Sequence, residues 1–142
     1  MSYRISKTFD FDAAHQLPLM PDGHKCKRLH GHTYRVEVVL RGALNDKQMV
    51  ADYADIAAAW QPLHDQLDHQ NLDSVPALRG QSTTEVLAWW ILRELRHGSP
   101  ELPFLSVRVY ESSSTWAEAV IPMALTVGEI LGERSVEPEG KP

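Results

Sequence analysis

The stretch HKCKRLHGHTYRVEVVL, residues 24–40, places the chain's single cysteine among three cations and follows it with two histidines one residue apart. His30 and His32 would diverge on a helix. An extended chain turns both to one face, with backbone positions about 6–7 Å apart, close enough for their imidazoles to meet at one ion. A third ligand has to come from elsewhere, and His15 at the end of the strand-like opening YRISKTFDFDAAH is the best placed. Three imidazoles leave a fourth position open on a tetrahedral zinc, which is the arrangement of a catalytic site. Imidazole ligation also suits copper, iron or nickel, so the residues favour zinc without excluding the others.

Cys26 lies in a loop marked by Pro21, Asp22 and Gly23, with Lys25, Lys27 and Arg28 beside it. Neighbouring cations stabilise a thiolate and favour a reactive thiol. A packed structural thiol and a Cys-x3-His metal pair are the alternatives. Glu111 continues the apolar parity of Leu105, Val107 and Val109, so a strand aims its carboxylate where its neighbours are buried. Such a group needs a partner: an internal base, or a ligand presenting paired N–H donors. Asp68 and His69 in LDHQNLD can carry protons, although adjacency alone does not make one orient the other. His24, His64 and His97 read as loop or polar-face residues.

The elements that must position these groups follow from periodicity. In the first strand Phe9, Phe11 and His15 share a parity. In HTYRVEVVLRG, His32, Tyr34, Val36, Val38 and Leu40 share one face. Asp52 is a good N-cap for a helix carrying Tyr53, Ile56, Trp60, Leu63 and Leu67, which Pro62 is expected to kink or divide. Ser82 and Glu85 suit a capping box for a second helix through VLAWWILREL, stopped by Gly98 and Pro100. PFLSVRVYES and WAEAVIPM read as third and fourth strands. The order β-β-α-α-β-β predicts an α+β domain with a mainly antiparallel sheet.

Composition bounds the rest. At 142 residues and 43% hydrophobic content, the chain has the length of one domain and the means to bury a core. A net charge of −5 argues against a nucleic-acid surface, and the longest apolar runs are too short to span a bilayer. One cysteine and no visible signal peptide fit a cytoplasmic protein. Residues 132–142, GERSVEPEGKP, read as a flexible tail.

Six ordered segments, FDAAHQLP, HKCKRLHGH, VADYADI, LDHQNLD, STTEVLAWWI and VYES, together resemble the 6-pyruvoyltetrahydropterin synthase family over residues 3 to 121. The resemblance is strongest to its bacterial carboxy-forming branch, the 6-carboxytetrahydropterin synthases of queuosine biosynthesis, to which the Cys-x3-His-Gly-His spacing is similar. It implies a T-fold (tunnelling fold) over residues 1–121, with a four-stranded antiparallel sheet, two helices inserted between strands 2 and 3, and residues 122–142 as an extension. It further implies a homohexamer of two trimers with active sites between subunits. By the same resemblance His15, His30 and His32 hold Zn2+, and Cys26, Asp68 and His69 transfer protons. Glu111 anchors the pterin ring, with Thr83 and Thr84 close to it. The activity implied is conversion of 7,8-dihydroneopterin triphosphate to 6-carboxytetrahydropterin, acetaldehyde and triphosphate. Pyruvoyl formation and side-chain aldol cleavage are the sister chemistries, and a non-catalytic pterin-binding protein is the remaining alternative. Lys25, Lys27 and Arg28 suit a triphosphate electrostatically. The chain departs from the family pattern at Ser112, where threonine is usual, and in its length beyond Ile121.

Overall fold

The computed structural model describes residues 1–122, so the tail expected at 132–142 lies outside the described residues. Two long strands, β1 (Tyr3–His15) and β2 (His30–Gly42), pair antiparallel in a register that sets His15 opposite His30 and Ala13 opposite His32. After helix α1 (Tyr53–Leu67) comes a two-residue strand β3 (Gln70–Asn71), and then helix α2 (Thr84–Gly98). The hairpin of β4 (Phe104–Tyr110) and β5 (Trp116–Val120) completes the elements of the described residues. The sheet order is β3-β1-β2-β4-β5.

Four of these strands are antiparallel neighbours, with both helices between the second and the third long strand, as expected. The fifth, β3, pairs parallel with Ala13 and Ala14 of β1. Two residues carry no periodicity from which a strand can be read, and β3 exists because the chain leaving α1 is held against the free edge of β1.

Alternation divides the sheet into two faces. Phe11, Ala13, His15, Tyr34, Val36, Val38, Val107 and Val109 point inward and are buried. Ile56, Trp60, Leu63 and Leu67 of α1 cover this face over β1, and Leu87, Ala88, Ile91 and Leu95 of α2 cover it beside them over β4 and β5. Asp12, Thr33, Arg35 and Glu37 take the opposite parity. On that face Thr33 donates to Asp12, and Arg108 lies between Glu37 and Glu118.

The helices differ from expectation in two respects. Pro62 does not divide α1, which is continuous through it. Ala58, whose carbonyl loses its donor, lies on the exposed side of the helix, where water can take that carbonyl. The cap of α2 is Thr83 rather than Ser82: its hydroxyl accepts from the Val86 N–H at 3.3 Å. Ser82 is buried and serves the site instead.

Candidate active site

His15 closes β1 and His30 opens β2, so the pairing that forms the β1–β2 ladder also brings these two rings together, with centroids 4.6 Å apart. His32, two residues along the same face, stands 5.2 Å from His15 and 4.9 Å from His30. The Tyr34 ring lies on edge behind His15 and His32, and burial holds its phenol well above the usual range, so it stays protonated.

The orientation of the imidazoles is set by backbone carbonyls. Nδ1 of His15 meets the Ser82 carbonyl at 2.9 Å, and Nδ1 of His30 meets the Arg28 carbonyl at 2.6 Å. A carbonyl only accepts, so both Nδ1 atoms carry the hydrogen, and the neutral rings present an Nε2 lone pair. The Nε2 atoms of all three histidines are buried without a hydrogen-bond partner. Burial also pushes the His32 imidazole below its ordinary range, against the opposing pull of Glu111. Neutral rings with one nitrogen fixed by a carbonyl and the other free are what a metal ion needs from histidine.

Glu111 follows the last residue of β4 and turns its carboxylate into the same cluster. Its Oε1 lies 2.8 Å from His32 Nε2 and 3.5 Å from His15 Nε2. One ligand atom from each of His15, His30, His32 and Glu111 lies within 4.8 Å of the others, close enough to share one cation. The sequence leaves the partner of Glu111 open; within this chain it is the histidine cluster.

Asp68 and His69 are built differently. Asp68 caps the C-terminus of α1, and His69 takes a left-handed backbone at φ 56°, which turns the chain onto the edge of β1. There the His69 N–H donates to the Asp12 carbonyl at 2.6 Å, and Asp68 Oδ1 accepts the Asp12 N–H at 3.0 Å. Asp68 Oδ2 meets His69 Nδ1 at 2.8 Å. The adjacent pair therefore does interact, through this turn. The Asp12 N–H and then His69 hold the Asp68 carboxyl below its usual range, and Asp68 raises His69 above its own. His69 borders an open pocket of about 590 Å³, whose lining also includes Asp12, Thr33, Asn71 and, from the histidine cluster, His32.

Asp12 and Thr33 have the parity opposite to His15 and His32. The Asp68–His69 pair thus sits at the sheet edge beside the polar face, and its polar contacts go to Asp12 and His64. Cys26 belongs to a short 3₁₀ turn, Lys25–Lys27, capped by His24, whose Nδ1 accepts the Cys26 N–H at 3.1 Å. The Cys26 carbonyl accepts from the Leu17 N–H at 2.8 Å, which ties the loop to the chain two residues beyond His15. The thiol is half-buried. One chain brings together the three histidines, Glu111 and, through Ser82, the start of α2 with Thr83 and Thr84. Asp68 and His69 form a separate group with Asp12, although His69 and His32 line one pocket.

Two residues escaped sequence reasoning. Ser82 contributes a main-chain carbonyl, for which no residue type is diagnostic. His64, expected on a polar helix face, packs against Trp60 and stands 3.8 Å from Asp68. Its spacing of four from Asp68 on a helix is the signal that would have found it. Of the loop cations, Lys27 pairs with Asp22. Ser112 bonds Thr115 at 2.7 Å inside the β4–β5 turn. No helix among the described residues is long and apolar enough to cross a membrane.

The same order of strands and helices is found in a solved structure, the 6-pyruvoyl tetrahydropterin synthase of Caenorhabditis elegans. It superposes with a TM-score of 0.78 at 26% identity, covering 86% of this chain and 97% of that one. In sequence the chain is 32% identical to a Haemophilus influenzae protein named 6-carboxy-5,6,7,8-tetrahydropterin synthase, over 82% of this chain and 97% of the relative. A Synechocystis protein of the same name is 38% identical over 83% and 93%. The profile of one family, described as 6-pyruvoyl tetrahydropterin synthase, matches residues 4–121, from the first strand to the end of the last, and the chain belongs to that family.

Proposed function

We propose that this protein is a zinc-dependent lyase that converts 7,8-dihydroneopterin triphosphate to 6-carboxy-5,6,7,8-tetrahydropterin, releasing acetaldehyde and triphosphate, in queuosine biosynthesis. The observation that carries the reading is the set of three clustered imidazoles whose Nε2 atoms are buried without partners, two of them held by backbone carbonyls at Nδ1. It stands in a chain similar to proteins named for that product. Residues 1–121 form the catalytic domain, with 122–142 as an extension, and the enzyme works in the cytoplasm as a hexamer of two trimers.

His15, His30 and His32 hold the ion, and zinc bound there supplies a Lewis acid that polarises the side-chain hydroxyls of the substrate. Glu111 accepts two parallel N–H bonds from the pterin ring, a charge-assisted pairing that fixes its orientation. Thr83 and Thr84, next to the carbonyl that orients His15, border the ring. Cys26 as thiolate takes a proton from the side chain. His69 is the proton donor: Asp68 occupies its Nδ1 and favours its charged form, which leaves Nε2 to deliver the proton. Because Asp68–His69 lies at the sheet edge, a second copy of the chain presents this pair to the Cys26 and zinc of the first.

Incubation of the zinc-loaded protein with 7,8-dihydroneopterin triphosphate, followed by mass spectrometry, tests the reading. The expected products are 6-carboxytetrahydropterin and acetaldehyde. A pyruvoyl or hydroxymethyl pterin would assign a sister chemistry instead, and bound but unconverted substrate would make the protein a pterin binder.

A further inference from the structure

We propose that Glu111 is the fourth ligand of the metal when no pterin is bound, closing a three-histidine, one-carboxylate site. The inference rests on the metal-dependent reading above and adds a resting state to it.

In neutral His15 the Ser82 carbonyl holds the N–H at Nδ1, so the Nε2 facing Glu111 carries a lone pair. Neither the 3.5 Å contact of Glu111 Oε1 with His15 nor the 2.8 Å contact with His32 is aligned as a hydrogen bond, and every Nε2 of the cluster lacks a donor or acceptor partner. The Glu111 oxygen therefore faces the lone pair of His15 Nε2 without a hydrogen between them, a contact that is repulsive as it stands. A cation at the centre turns the same four contacts into bonds.

The distances fit that centre. Two ligands bound about 2.0–2.2 Å from a tetrahedral zinc stand roughly 3.3–3.6 Å apart. The 3.5 Å separation of Glu111 from His15 is such an edge. The 2.8 Å separation from His32 has to widen by about half an ångström to reach one. Glu111 is the member able to move. Its side chain is 28% exposed, and it sits at the mouth of the β4–β5 turn, whereas carbonyls lock the rings of His15 and His30.

Glu111 thus has two claims on it. As a ligand it fills the position a substrate oxygen needs, and as pterin anchor it leaves that position. Arrival of the ring and opening of the metal become one event, which keeps the free enzyme's metal from water and other oxygen ligands.

The test uses purified full-length protein without pterin. Zinc is titrated in competition with a chromophoric chelator, and visible spectra are taken of the cobalt(II)-substituted protein. Glu111→Ala is expected to weaken zinc binding about ten- to a hundredfold and to alter the cobalt spectrum, and Glu111→Gln to weaken binding in the same direction. Melting of the metal-free proteins separates loss of a ligand from loss of fold, and Glu111→Gln, which keeps the volume, carries the comparison if Glu111→Ala does not fold. Both variants binding zinc as tightly as wild type, with an unchanged cobalt spectrum, would overturn the fourth-ligand assignment and leave the metal-dependent reading in place. Wild-type protein that takes up no zinc would overturn both.

Discussion

A thiol that acts as a base must be separable from the metal next to it, because removing a ligand and removing a base both end turnover. Cys26 is attached to the chain beside the site through its main chain, by the Leu17–Cys26 hydrogen bond, while the groups proposed to bind the ion are histidines on two strands. Cys26→Ala is therefore expected to lower kcat by about 10²–10⁴, the usual worth of a positioned base. Zinc content measured by atomic absorption should stay at the wild-type level; loss of metal with activity would make Cys26 a ligand instead. The Asp68–His69 pair has its own signature. Asp68 raises the His69 pKa above 6.5, so in Asp68→Asn the His69 ring resonance followed by NMR should titrate at lower pH than in wild type. An unshifted titration would remove Asp68 as its partner. For stability the two signs combine. The contribution of His69 is complete below 6.5 and fades as pH rises through its raised value; that of Asp68 is complete above 3.8 and fades as pH falls through its lowered value. The pair stabilises the fold most between those limits.

Strands β1 and β2 were legible from the parity of Phe11, His15, His32 and Tyr34, and that parity brings the three histidines to one face without any knowledge of the fold. What could not be read was whatever depends on main-chain atoms. Ser82 orients His15 by its carbonyl, and Asp12 fixes Asp68 and His69 by its N–H and C=O, contributions independent of side-chain type. The start of α2 slipped by one residue for a related reason: Ser82 and Thr83 both make good caps, and the burial of Ser82 against His15 decides between them. This coupling of helix start to metal ligand makes a prediction at the scale of the element. Thr83→Ala removes the cap and should cost about 1 kcal/mol in urea denaturation. Since the Ser82 carbonyl precedes that cap directly, the same variant should hold zinc less tightly in a chelator competition. Destabilisation with unchanged zinc affinity would show that β1 and β2 orient His15 without the helix.

At the scale of the whole molecule the question is which subunit supplies the proposed proton donor to Cys26. The Cys26 loop is tied to the chain just beyond β1 by the Leu17–Cys26 hydrogen bond, and Asp68–His69 lies at the β3 edge, bonded to Asp12. Among the described residues β3 is the edge strand of the sheet, and the Asp68–His69 turn beside it is open to a neighbouring molecule. If a second copy supplies the pair, two inactive variants can repair each other. Cys26→Ala and His69→Ala, each inactive alone, are unfolded together at equal amounts and refolded with zinc. Random assembly gives about a quarter of the sites an intact cysteine from one subunit and an intact histidine from its neighbour, and the mixture should recover that fraction of wild-type activity. A site built within one chain recovers none, since every chain in the mixture lacks one of the two groups. Sedimentation of the same mixture provides the control: the oligomer must reform for silence to count, and a reformed but inactive oligomer would place all three residues in a single subunit after a rearrangement of the Asp68–His69 turn.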